Sequence, residues 1–122
     1  MHIEGDATLL RVFIGEADKL GHKALFDAIV EEARAAGLAG ATVLRGIQGF
    51  GLSAKMRSSR ILDLSSDLPV VVEIVDEESK VNAFIEKLNG LLEEADSGGL
   101  VTVEKTHVIR YLHGAGAARQ GR

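Results

Sequence analysis

The residues best suited to chemistry lie in one stretch, Arg45-Gly46-Ile47-Gln48-Gly49-Phe50-Gly51-Leu52-Ser53-Ala54-Lys55-Met56-Arg57-Ser58-Ser59-Arg60, which carries four basic side chains and no acidic one. Glycines at 46, 49 and 51 let the backbone approach a ligand closely and aim successive amides at an anion, as a phosphate cradle requires. The same spacing fits a bulged strand end followed by a solvated loop. A dinucleotide fingerprint fits poorly, because that motif opens a helix and no helical period follows Leu52. A second glycine pair, Gly98-Gly99, reads from spacing alone as a helix-to-strand turn, and Arg110 closes the last apolar run.

Other chemistries find less support. His2, His22, His107 and His113 form no short ligand motif, so no metal ligand is assigned; His107, on a strand, could act as one only at an oligomer axis. Cysteine is absent, which removes thiolate nucleophiles, thiolate zinc sites and disulfides. The serines at 53, 58, 59, 65 and 66 have no histidine motif beside them, so no nucleophile, base and orienting group come together. Acyl phosphate hydrolysis would need an arginine-bearing cradle after the first strand, where Gly15-Glu16-Ala17-Asp18 is acidic instead. A non-enzymatic protein is expected.

The chain has 122 residues, with 14 Lys and Arg against 18 Asp and Glu, a formal charge of −4. The acidic balance and an aromatic fraction of 4% argue against a nucleic-acid binder. No apolar run is long enough to span a membrane, and the amino end is acidic rather than signal-like. A single cytoplasmic domain is the expectation, over 1–112, with a flexible small-residue tail over 113–122.

Positioning these residues requires four strands and two helices. Thr8 to Ile14 alternates Leu10, Val12 and Ile14 with Leu9, Arg11 and Phe13, which predicts a strand. Leu25, Ile29 and Ala33 recur at helical spacing before Gly37. Ala41–Ile47 predicts a second strand, Val70–Val75 a third, Val81 to Leu92 a second amphipathic helix ended by Gly98-Gly99, and Leu100–Leu112 a last strand. The order β-α-β, long loop over 52–68, β-α-β is an α+β, ferredoxin-like split β-α-β: a four-stranded antiparallel sheet with both helices on one face. Val71 and Val75 make the face away from the helices apolar as well, so self-association is expected through it. Arg11 and Glu73 are its polar members, able to pair across central strands.

These segments resemble the PII-like proteins, in particular the branch catalogued as domain of unknown function 190. The matching stretches are Leu10-Arg11-Val12-Phe13-Ile14-Gly15-Glu16, Gly40-Ala41-Thr42-Val43-Leu44-Arg45-Gly46-Ile47-Gln48-Gly49-Phe50-Gly51, Asp67-Leu68-Pro69-Val70-Val71-Val72-Glu73-Ile74-Val75-Asp76 and Gly99-Leu100-Val101-Thr102. The resemblance implies a homotrimer with an adenine nucleotide or other small anionic effector at its intersubunit clefts. It further implies that the long loop regulates a membrane transporter or another partner protein. It assigns Gly49, Phe50 and Gly51, the turn at Gly98 and Gly99, and Arg110 to the ligand, with Arg45, Lys55 or Arg57 as compensating cations. Compensation is needed because the PII lysine at the start of the last strand falls at Gly99 or Leu100, the second arginine falls at Leu112, and a PII glutamine falls at Ser53. Two missing cations, each worth about 1.5–3 kcal/mol, turn the expectation from ATP toward a less charged nucleotide, another anion or no ligand at all. The alternative implied by the wider fold is a metal-responsive or purely structural trimer resembling copper-tolerance proteins.

Overall fold

The computed structural model describes residues 5–51, 57–58 and 67–112, the pair 57–58 by backbone alone. Strand β1 (Gly5–Gly15) is followed by a small hairpin of β2 (Lys19–Leu20) and β3 (Lys23–Ala24), which leads into α1 (Leu25–Ala35). Then come β4 (Thr42–Arg45), a ribbon of β5 (Gln48–Gly49) and β6 (Arg57–Ser58), β7 (Pro69–Asp76), α2 (Glu78–Glu94) and β8 (Leu100–Val108). The main sheet has the order β4-β7-β1-β8 and is antiparallel throughout. This is the ferredoxin-like α+β fold that the element order predicts. Among the described residues no helix is long and apolar enough to cross a membrane.

The period-2 pattern sends Leu10, Val12 and Ile14 of β1 and Val70, Val72 and Ile74 of β7 to one face. Leu25, Ile29 and Ala33 of α1 and Val81, Phe84, Leu88 and Leu92 of α2 meet them there, so one core lies between the sheet and both helices. Each fully buried aliphatic or aromatic side chain in it contributes about 1.5–3 kcal/mol. The opposite face is ordered in rows by the register. Leu44, Val71, Phe13 and Leu100 form an apolar row across all four strands. Phe13, Leu44 and Leu100 remain 37%, 48% and 55% exposed in the single chain. The next row is polar, Thr42, Glu73, Arg11 and Thr102. Arg11 Nε donates to Glu73 Oε2 at 2.9 Å, the expected cross-strand pair, and Arg11 Nη1 donates to Glu104 Oε1 at 2.7 Å. The hydrogen bond to Glu73 is the first cause that holds the Arg11 guanidinium above its ordinary pKa, opposed by desolvation and reinforced by the Glu104 charge.

Several boundaries depart from the sequence reading. The second strand ends at Arg45 rather than Ile47: Gly46 N–H donates to Pro69 O at 2.7 Å, but proline has no N–H to return, so the ladder stops there. The last strand ends at Val108, opposite Gly5, rather than Leu112. Beyond it Tyr111 Oη donates to Ala39 O at 2.8 Å, next to the edge strand on the far side of the sheet. Between β1 and α1 lies the small hairpin, which the sequence reading does not include because its two-residue strands are too short to show a period.

Helix α2 stops before Gly98-Gly99. Asp96 takes the left-handed conformation with φ 52°, Asp96 N–H donates to Glu93 O at 3.0 Å, and Ser97 N–H donates to Leu92 O at 3.0 Å. That is a Schellman motif with aspartate where glycine is usual. Helix α1 ends the same way with Gly37 at φ 78°. An Asp96→Gly variant is therefore expected to be more stable by about 0.5–1 kcal/mol, read as a higher urea midpoint at unchanged slope.

Candidate functional site

The register sorts the sequence-derived residues to two ends of the sheet. At one end lie Gly15 opposite Pro69, Arg45 opposite Val70 and Phe13 opposite Leu100, the residue that follows Gly98-Gly99. Arg45, Gly46 and Gly49 sit here on the β4 side, and Gly98 and Gly99 on the β8 side, about 14 Å apart across three strand spacings. Arg110 follows Val108 at the other end, about 26 Å from Gly98-Gly99 along β8, on the side where β4 begins at Thr42. Lys55 lies outside the described residues, and of Arg57 only the backbone, paired with Gly49 in the ribbon, is described.

The glycines differ in what they serve. A side chain at Gly46 would meet Pro69 Cγ at 2.9 Å, and its amide is already spent on Pro69 O, so this glycine packs the strand end. An added Cβ at Gly49 would lie 3.4 Å from the same proline, one at Gly51 would meet no described atom within 4 Å, and exposed Phe50 stands between them. At Gly99 an added Cβ would fall 2.9 Å from Ile14 Cγ2 and 3.1 Å from Phe13 O. Of the two positions, Gly99 and Leu100, that the resemblance matches to the PII lysine, Gly99 has no room for a side chain on this backbone. Gly99→Ala is expected to cost about 1–3 kcal/mol through overpacking, seen as a lower urea midpoint.

The organising element at the glycine end is the turn Gly15-Glu16-Ala17-Asp18. Asp18 Oδ2 accepts from Gly15 N–H at 2.9 Å and from Ser97 Oγ at 3.2 Å, tying the approach to Gly98-Gly99 to β1. Glu16 N–H donates to Leu68 O at 2.8 Å, and Ala17 N–H donates to Asp67 Oδ1 at 2.9 Å. The Glu16 carboxylate accepts from Arg45 Nη2. In the sequence this turn counts against an arginine cradle, and its Gly15-Glu16 belongs to a stretch that resembles the PII-like proteins. Its connecting role was foreshadowed by two aspartate-bearing segments, at 18 and 67, flanking a strand pair that ends at Pro69.

At the far end, Arg110 and Tyr111 line a cleft of about 550 Å3 together with Gly40, Thr42, Glu73 and Val75. Its size suits a small molecule. Arg110 is exposed and has no ion-pair partner among the described residues. His107 Nδ1 lies 3.6 Å from Asp6 Oδ1, both well exposed. Among the described residues there is no group of three His, Cys, Asp or Glu side chains that could hold a metal ion.

Known proteins share this architecture. The chain superposes with a TM-score of 0.64 on CPII, a nitrogen regulatory PII-like protein from Thiomonas intermedia K12 solved with ADP, AMP and bicarbonate bound; the match covers 84% of this chain and 88% of CPII at 18% identity. At that identity the likeness is one of fold. It is 41% identical over 101 residues to a UPF0166 protein of Aquifex aeolicus, covering 83% of this chain and 91% of the relative. A UPF0166 protein of Methanocaldococcus jannaschii is 31% identical over 104 residues, covering 85% and 93%. The domain of unknown function 190 family, described as "Uncharacterized ACR", matches residues 7–108. With nearly the whole sheet and both helices inside that match, this chain belongs to the domain of unknown function 190 family and has its PII-like, ferredoxin-like fold.

Proposed function

We propose that this chain is a non-enzymatic, PII-like regulatory protein that binds an adenine nucleotide between subunits of a homotrimer and passes the bound state to a partner protein through its 52–68 loop. The observation that carries this reading is the placement of Arg110. An exposed cation without an ion-pair partner among the described residues stands a full strand length from Gly98-Gly99, with which the PII resemblance groups it. One chain cannot join these two, whereas a second copy can bring its Arg110 to the first copy's Gly98-Gly99. The apolar row of Leu44, Val71, Phe13 and Leu100 on the helix-free face supports self-association. ADP and AMP in CPII support the ligand class. ADP and AMP are favoured over ATP because two PII-type cations are replaced by Gly99 or Leu100 and by Leu112.

The test is isothermal titration of ATP, ADP, AMP and cyclic AMP into protein whose mass is fixed by light scattering. The expected result is a three-subunit particle with saturable binding near one ligand per subunit, tighter for ADP than for ATP. Folded protein silent to all four would end the nucleotide reading.

A further inference from the structure

One dipeptide, Glu16-Ala17, reaches both stems of the long loop. On the incoming stem the tie is a side-chain contact, Arg45 Nη2 to the Glu16 carboxylate, beside the backbone bond from Gly46 N–H to Pro69 O. The outgoing stem is held by backbone donors, Glu16 N–H to Leu68 O and Ala17 N–H to Asp67 Oδ1. The two partners of the incoming contact are unequally free. The Glu16 side chain is 21% exposed on a turn fixed by Asp18, whereas the Arg45 side chain is 59% exposed. A guanidinium has five donors, and the Glu16 contact uses Nη2. Arg45 can therefore swing to an incoming anion while Glu16 stays in place.

We infer that Glu16 is a built-in competitor for the anionic ligand: it holds Arg45 when the site is empty and yields it to a phosphate group when the site fills. This rests on the proposed anion site at the loop base and deepens it into a mechanism of regulation. Ligand binding exchanges one charge-assisted contact for another and frees the Arg45 side chain from the turn, while the backbone bonds of both stems persist. The state of the ligand is thereby written into the Arg45 side chain at the incoming stem. Glu16 acts as a positioning residue, through Arg45.

The experiment is a double-mutant cycle read by titration of ADP, and in parallel of inorganic pyrophosphate, into wild type, Glu16→Gln, Arg45→Gln and the double variant. Glutamine keeps the size of Glu16 and its backbone N–H, and hydrogen exchange of the Glu16 amide checks that the outgoing stem is intact. Glu16→Gln is expected to bind both probes about three- to fivefold more tightly, the range of a partly exposed ion pair. In the Arg45→Gln background the same change is expected to have no effect. Equal tightening in both backgrounds would mean that Glu16 merely repels anions, and would overturn the competition. ADP binding unaltered by Glu16→Gln would overturn the inference and leave the nucleotide reading standing. Silence to ADP with pyrophosphate binding that tightens in Glu16→Gln would overturn the nucleotide reading and leave the inference standing. Silence to both probes in all four proteins would overturn both.

Discussion

Replacing Asp76 by alanine is expected to cost about 1–3 kcal/mol of folding stability, because it removes the buried acceptor of two part-buried backbone donors. Asp76 is 1% exposed. Its Oδ2 accepts from Ala39 N–H at 2.8 Å and its Oδ1 from Glu77 N–H at 2.7 Å, so one carboxylate joins the end of β7, the start of α2 and the approach to β4. Helix α2 has no side-chain cap of its own at Glu77, which leaves the preceding aspartate to satisfy a donor at that terminus. Asp76→Asn is expected to lose roughly half as much, since an amide can accept one of the two bonds but turns its NH2 toward the other donor. Equilibrium urea unfolding measures both; a change below about 0.5 kcal/mol in the alanine variant, the range of ordinary surface substitutions, would contradict the assigned role.

On the proposed reading, Arg110→Ala is the second large effect: ADP affinity is expected to fall about 10- to 100-fold, the loss of one charge-assisted contact to phosphate. Folding stability is expected to stay within about 0.5 kcal/mol, because the side chain is exposed and has no ion-pair partner among the described residues. Arg110→Lys is expected to recover part of the affinity, as a point charge without the planar fork. Titration calorimetry beside urea unfolding separates the two quantities. Unchanged ADP affinity in a folded Arg110→Ala protein would remove this residue from the site.

The two helices and the central strands were legible because burial imposes a period. Leu25, Ile29 and Ala33, the Val81 to Leu92 series, and the alternation through Leu10, Val12 and Ile14 all point inward as read. The Arg11 and Glu73 pair was legible too, since both are charged residues on otherwise apolar strands adjacent in a split β-α-β sheet. Polar ties between distant segments leave no period. Nothing local in the sequence announces that Asp76 reaches Ala39, that Tyr111 reaches Ala39 O, or that Glu16 reaches Arg45. Strand ends failed for a related reason, because Pro69 stops the ladder of its neighbour rather than its own strand. The helix stop was read at the conspicuous glycines, whereas Asp96 performs it two residues earlier. Of the proposed site, the glycine turns and Arg110 are named by the sequence, and the separation of Gly98-Gly99 from Arg110 to opposite ends of the sheet follows only from the register.

The most direct measurement is ADP binding by mixed oligomers assembled from two variants, Arg110→Ala and Arg45→Glu, each expected to bind poorly alone. If every site takes Arg110 from one subunit and Arg45 from the next, a one-to-one random mixture regains about one quarter of its sites at wild-type affinity, as a head-to-tail interface requires. A mixture that binds no better than its separate components would contradict a site shared between subunits.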